Sequence, residues 1–545
     1  MSISVVIVAL ACVLGTYTVQ SICRTLYSVY TSQLGVLRGP ESPGLFYGHV
    51  NVACRAGNST ITQHWIARYG TNVLCRWLCG IPCLWTADPV VIRHVLCSEK
   101  YVKPLEARIS AAQIIGDGVI VSEGAKHRGQ RSIMSPAFGS SQIRDLMHIF
   151  VQKSAELRNI WADEVSKSDG CARINAMDGL QKLTLDVISL AGFGLDLKAL
   201  NNNGEPNEID EAFCEIFSAV PPVKLYRVMM DWLPFLDFFP DERTKKIRHA
   251  RSVIRRIGTD LIREKKAAIQ RELDIGDGAL GKEDLPGKDL LTLLIKANMA
   301  TNLTKNQRLT DEEVLSQIPT FLVAGHESTT ITTAWCLFAL TQNPRIQQKL
   351  REELLSLQTD SPTMDELASL PYLDRVVRET LRLYTPVVFT LRAAAEDDVI
   401  PLSEPVIDRN GKAQHEIRIA AGNRVIVSIL EPHHSKAIWG DDALEFRPER
   451  WDNLPEEAAR MPGIWGNVLA FAAGAHSCIG YRFAIAEIKA VLFTLVREFV
   501  FELGVAPEDV TAVGMLTQRP ALKSELEVGP QLPLLVRPYV HPVSS

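Results

Sequence analysis

Apolar side chains recur every three or four residues through most of the chain between Ser140 and Pro386. That spacing predicts a succession of amphipathic helices. Alternating or continuously apolar runs are fewer: TNVLCRWL (71–78), PCLWTA (82–87) and EIRIAAGNRVIVSI (416–429) read as strands. The polar stretch ELDIGDGALGKEDLPGKD (272–289) breaks the helical pattern and predicts an exposed loop. Asp311–Gln342 is a long apolar segment with Pro319 inside it and Pro344 just beyond its end. His326 and Glu327 lie at its middle, where lipid makes charge expensive. The pattern therefore predicts a helix through the centre of a large domain, with Pro344 as its stop. The fold class is mainly α with a minor β part.

The N-terminus follows a different pattern. The first 23 residues carry no charged side chain, close to the ~20 needed to cross a bilayer. A buried helix and a cleaved signal peptide are the alternatives, but a signal peptide usually has a basic start, and here Arg24 and Arg38 follow the apolar run. That order favours an uncleaved single-pass anchor (1–23) with the bulk of the chain on the cytosolic side, as at the endoplasmic reticulum membrane. Residues 24–50, with Pro40, Pro43, Gly44 and Gly48, read as a turn-rich linker, and 51–545 as one catalytic domain.

Composition narrows the function classes. The chain has 545 residues, 46% of them hydrophobic and 22% charged, and a net charge of −5. With no long Lys/Arg run, that charge argues against nucleic-acid binding. Eleven cysteines are too sparse for a disulfide scaffold. Cys75, Cys79 and Cys83 lack zinc spacing and read as small hydrophobes on a strand pair. His433-His434 lack further spaced ligands and read as loop residues.

Cys478 is different. It sits in FAAGAHSCIGYR (471–482), between Gly474 and Gly480, with His476 before it and the amphipathic pattern FAIAEIKAVLFTLVREF after it. A thiol at a helix N-terminus meets free N–H groups and a dipole that favour the thiolate. Glycines there let the backbone turn and come close to another group.

FAAGAHSCIG resembles the haem-binding loop of the cytochrome P-450 family, F-x-x-G-x-R-x-C-x-G, with His476 where arginine is usual. The family's other motifs occur in order. Glu379-Thr380-Leu381-Arg382 gives E-x-x-R, and FRPERW (446–451) supplies Arg450. The resemblance implies that Glu379, Arg382 and Arg450 form a buried structural network. Ala324-Gly325-His326-Glu327-Ser328-Thr329 is similar to A-G-x-(D/E)-T-(T/S), with serine for the usual threonine. Helical spacing puts Phe321, Ala324, Gly325 and Ser328 on one face. Adjacent small residues there admit a flat macrocycle and O2, and a Ser328 hydroxyl can bond back to the Ala324 carbonyl.

The resemblance covers about Pro40 to Pro538 and implies the cytochrome P-450 fold, with haem b held between the central helix and the cysteine helix. It implies Cys478 as the axial ligand of the haem iron, a thiolate that favours O–O cleavage. It implies Glu327 and Ser328 as the proton-delivering pair, and Ala324, Gly325 and Gly480 against the haem. His127 and Arg131, in EGAKHRGQRSIMSPAF, match a W-x-x-x-R helix with His for Trp. With Arg392 and His476 they are the candidate partners of the haem propionates. Ile114, Ile115, Phe213, Phe217, Phe321, Val387, Val388 and Phe389 are the candidate pocket walls, and their apolar character suits a lipophilic substrate such as a terpenoid, fatty chain or sterol.

Electrons must come from outside the chain, so the implied partner is a membrane-bound NADPH–haemoprotein reductase, with Lys126, Arg128, Arg482 and Lys489 as docking charges. The expected reaction is insertion of one oxygen atom from O2 into the substrate. Desaturation or oxidative coupling by the same centre, a non-catalytic haem-thiolate sensor or carrier, and a zinc-binding or purely structural membrane protein are the competing readings.

Overall fold

The computed structural model describes residues 32–44, 46–50, 59–201, 242–275, 289–299, 308–514 and 516–540, with a few single residues outside these runs. Most of the predicted anchor (1–23), and Phe213 and Phe217, lie outside the described residues. Among the described residues no helix is long and apolar enough to cross a membrane. The chain divides into two compact units, 1–107 with 219–245 and 388–432, and 108–218 with 246–387 and 433–545.

The first unit is built on a five-stranded sheet. Its order is Asn72–Arg76, Pro82–Thr86, Arg424–Ser428, Phe389–Ala394, Tyr101–Val102. The predicted cysteine strands pair antiparallel with Cys75 opposite Cys83, both free thiols. They join Val73, Trp85, Ala87 and Ile426 in a small apolar cluster. Asp88 organises the next element. Its Oδ1 accepts from Val90 N at 2.9 Å and so caps helix Pro89–Cys97, while Oδ2 accepts from Asn72 Nδ2 and Ser403 N. Residues 32–44 run along the sheet: Leu74 N donates to Arg38 O, and a Cβ on Gly39 would lie 1.9 Å from Leu74 O. Only glycine admits that approach.

Glu431 of this unit is buried, with its carboxyl bonded by the Thr62 hydroxyl. Burial pushes it up to about 7, against the pull of that hydroxyl. An unfolded glutamate titrates near ~4.3. Between these values the folded protein keeps a proton that the unfolded chain gives up, so stability falls as pH rises through this window and then levels off, by on the order of 3 kcal/mol. Thermal midpoints measured from about pH 5 to about pH 8 should fall for the native chain and flatten for Glu431→Gln. Equal slopes would remove Glu431 as the cause.

The second unit is mostly helical. Its axis is the predicted helix Asp311–Gln342, which continues through Pro319. It starts at a capping box: Thr310 Oγ1 accepts from Glu313 N at 3.2 Å, and Glu313 Oε2 accepts from Thr310 N at 2.9 Å. It ends at Asn343, and Pro344 opens the next helix at its first position. The central helix packs on Ala176–Phe193, Tyr481–Glu498 and Pro371–Leu383. Around it lies one continuous core that includes Trp161, Phe150, Phe483, Phe499 and Phe501. A three-stranded sheet of Ala172–Asn175, Pro533–Pro538 and Phe499–Leu503 closes the unit. His433 and His434 are not loop residues: they end the short helix segment Leu430–His434, and both are pushed down by burial. His433 Nε2 accepts from Leu469 N at 2.8 Å, which spends the ring on the backbone.

Candidate active site

The cysteine loop is a tight, strained turn. Gly474 has φ +70, and Ala472 is held at φ +55, a region costly for a residue with a Cβ. Cys478 N donates to Phe471 O at 2.9 Å across the loop. Gly480 has φ −90 and caps helix Tyr481–Glu498; a Cβ there would make only ordinary contact with the Phe138 ring at 3.7 Å, so neither its backbone conformation nor the protein around it requires glycine.

Cys478 is solvent-accessible although the helix that follows it is largely buried. On the central helix, Ala324 is likewise exposed between buried flanks, and Gly325, Glu327 and Ser328 are half-buried. The two helices pack on one another. Each therefore bares one short stretch within an otherwise closed core. Ser328 Oγ donates to Ala324 O at 2.8 Å, the predicted back-bond.

Gly325 has another use than the one its motif suggests. A Cβ there would meet Ile188 Cδ1 at 2.7 Å, so its smallness lets helix Ala176–Phe193 approach. His326 faces that helix too; burial pushes it down to about 4, and a bond with the Gln181 backbone only partly offsets this.

Although solvent reaches the sulfur from one side, the protein packed around it pushes the Cys478 thiol up by desolvation, while the Gly480 amide and the Arg131 guanidinium draw it down. One amide and one guanidinium thus only partly offset desolvation of the anion. A cation bound directly to sulfur would supply the difference.

Arg131 donates through Nη1 to Ser477 O at 2.5 Å and through Nη2 to Ser477 Oγ at 3.3 Å. The His476 ring lies against His127, tilted by 37° with ring centroids 4.0 Å apart, and its Nε2 lies 2.8 Å from Glu123 Oε2. Glu123 is a residue that sequence reasoning missed; its position just before helix Gly124–Met134 was the available signal. Arg392 lies in the first unit, buried in strand Phe389–Ala394, where Nη1 donates to Thr390 Oγ1 at 2.7 Å and Leu391 O at 3.0 Å.

The described pocket candidates fall in both units. Ile115 is buried and Ile114 half-buried at the end of helix Leu105–Ile115. Phe321 is spent on an aromatic cluster, edge-on to Phe138 at 5.4 Å and stacked on Phe193 at 6.5 Å, and this is why it is buried while Ala324 is open. Val387 forms a bridge with Thr517. Val388 is buried in the first unit, and Phe389 packs there on the cluster of Cys75 and Trp85. Of the docking charges, Lys489 is buried against Asp374, 2.7 Å away, and is unavailable to a partner; Lys126 pairs with Asp117, and Arg482 lies over the Tyr481 ring.

The network behind the cysteine loop is complete. Arg382 Nε and Nη2 donate to Glu379 Oε2 and Oε1 at 2.9 and 2.8 Å. Arg447 N and Trp451 Nε1 add bonds at 2.9 and 3.1 Å, and Arg450 Nε lies 3.4 Å away. Glu379 and Arg382 are wholly buried and Arg450 is 2% exposed. Arg382 also donates to His433 O, Ala443 O and Glu445 O, and Arg450 to Trp439 O, Asp442 O and Asp442 Oδ1.

A strained cysteine loop leading into a buried helix, opposite a back-bonded hydroxyl on a long central helix, defines a haem-thiolate oxygenase architecture. The cytochrome P450 family model matches residues 38–524, and the chain belongs to that family. It is 46% identical over 513 residues to cytochrome P450 monooxygenase 205 of Postia placenta, covering 94% of each chain. It is 34% identical over 519 residues to cytochrome P450 monooxygenase claP of Ampulloclitocybe clavipes, covering 92% of each. A ganoderic acid synthetase of Ganoderma lucidum is 32% identical over 495 residues, covering 86% of this chain and 88% of its own. The protein is a cytochrome P450 monooxygenase with haem b as its cofactor.

Proposed function

We propose that the protein hydroxylates a lipophilic substrate of terpenoid or related natural-product class, with electrons from NADPH through a membrane-bound haemoprotein reductase. The balance is RH + O2 + NADPH + H⁺ → ROH + H2O + NADP⁺. The observation that carries this reading is the pair of bared stretches, Cys478 in the loop that leads into helix Tyr481–Glu498 and Ala324–Ser328 on the central helix packed against that helix. Bound there, the haem supplies oxygen activation and the attack on a C–H bond.

The chain's own residues do the rest. Cys478 would hold the haem iron through its sulfur. Arg131, His127 and His476 converge beside the cysteine loop and, with Arg392, are the proposed propionate partners. Ser328, held by the Ala324 carbonyl, presents its hydroxyl oxygen to a donated proton, and Glu327 is the acid that replenishes it. The uncharged N-terminal run supports an anchor that holds the catalytic domain at the cytosolic face of the endoplasmic reticulum, where lipophilic substrates concentrate. The relative named for ganoderic acid synthesis supports a biosynthetic role.

The test is incubation of holoprotein with reductase, NADPH and isotopically heavy O2, against terpenoids, sterols and fatty acids. One heavy oxygen per product molecule is expected. Products that gain a double bond and no oxygen would replace hydroxylation by desaturation.

A further inference from the structure

Glu327 and Ser328 are neighbours in sequence but turn to different partners. Ser328 bonds its own helix at Ala324 O. Glu327 Oε1 instead accepts from Thr517 Oγ1 at 2.8 Å and from Arg519 Nε at 2.7 Å, with Arg519 Nη2 2.5 Å away. The Arg519 and Glu327 side chains are 14% and 16% exposed, so solvent screens this pair far less than a surface pair.

The segment carrying these donors is itself fixed. Trp335 Nε1, two turns along the same central helix, donates to Gln518 O at 2.8 Å. Gln518 N donates to Pro386 O at 3.0 Å, Thr517 bridges to Val387, and Arg519 opens a strand paired with Val510–Val513. The backbone that carries these donors is therefore tied at three points, which limits how far the guanidinium can follow the carboxyl if that swings toward Ser328.

We propose that Arg519, assisted by Thr517, is a positioning residue that parks the Glu327 carboxyl away from the Ser328 hydroxyl, so that proton delivery requires this ion pair to open. The inference rests on the proposed role of Glu327 as the acid. Its consequence is control of waste. With the latch intact, Glu327 rarely serves the site when no substrate is bound. With the latch removed, Glu327 passes protons regardless, and reducing equivalents leave as peroxide: O2 + NADPH + H⁺ → H2O2 + NADP⁺. Two electrons and one proton come from the hydride of NADPH, and the second proton comes through Glu327 from water.

The experiment uses full-length holoprotein with reductase and measures substrate-free peroxide formation per NADPH. Arg519→Gln should raise it on the order of tenfold, the factor a charge-assisted hydrogen bond is worth. Arg519→Lys should restore near-native values, because both guanidinium nitrogens meet the same oxygen and a point charge can replace them. Adding Glu327→Gln to Arg519→Gln should abolish the excess. Thr517→Val, which keeps the ion pair, should give a smaller rise and serves if Arg519→Gln does not fold. Substrate affinity by spectral titration should stay native in these latch variants, whatever the removal of one partner of a largely buried ion pair costs the thermal midpoint; a merely structural role would move affinity and would not depend on Glu327. A native peroxide rate in Arg519→Gln, or an excess that survives Glu327→Gln, overturns the latch alone. A native protein without the red-shifted carbon monoxide band overturns it together with the reading it rests on.

Discussion

Cys478→Ala is expected to abolish the red-shifted absorption band that the reduced native protein gives with carbon monoxide, and to reduce monooxygenase turnover to background. Losing an outer partner of a metal ligand costs about 10–100-fold in affinity or activity, and losing the axial donor itself costs more. The loop offers no replacement. His476, the nearest basic side chain in sequence, is engaged with Glu123 and packed against His127. The remaining thiols among the described residues are Cys75 and Cys83, committed to a strand pair of the first unit, and cysteines at other sites of the fold. Haem retained by the propionate partners alone would give an unshifted spectrum. Cys478→Ser, which keeps the size and loses the soft donor, should behave like alanine in the spectrum while folding as the native protein does. A red-shifted band surviving in Cys478→Ala would mean that another residue donates to iron, and the roles proposed for the loop would have to be reassigned.

What the sequence made legible was local chemistry with a period or a spacing. The central helix, its Pro344 stop, the cysteine strand pair and the Ser328 back-bond each depend on residues within a few positions of one another, and each stands in the structure. What stayed hidden depends on distant pairs. Strand Asp398–Ile407, with Pro401 and Glu404 in it, does not read as a strand; it is held by pairing with Ala413–Ile419 across an irregular register. The grip of Arg519 on Glu327 spans 192 positions, and nothing near either residue announces it. Gly325 and Phe321 were visible as small and apolar, but their neighbours, Ile188 for one and Phe138 and Phe193 for the other, decide what that smallness and bulk are for. Lys489 shows the same limit: a lysine on an amphipathic helix reads as surface until Asp374 is found beside it.

Glu379→Gln is the second change expected to have a large effect, and it acts on folding and not on chemistry. Glu379 accepts from Arg382, Arg447 N and Trp451 with no solvent to share the load. Glutamine keeps the volume but removes the charge, and its amide nitrogen must face N–H donors. Two buried guanidiniums then share only neutral carbonyls and Asp442. Breaking a buried ion pair by removing one partner costs about 3–5 kcal/mol, a large part of the ~5–15 kcal/mol that holds a folded chain together. The loss should appear as low haem content and a lowered thermal midpoint, with whatever holoprotein survives keeping the native carbon monoxide band. That last point separates the network from the cysteine. Arg450→Gln should be milder than Arg382→Gln, since Arg450 lies at 3.4 Å from Glu379 and its loss leaves the two-bond Glu379–Arg382 pair intact. The reverse ranking, or native stability in Glu379→Gln, would show that the carbonyls around Arg382 suffice without the carboxylate in tying helix Pro371–Leu383 to the segment 433–451.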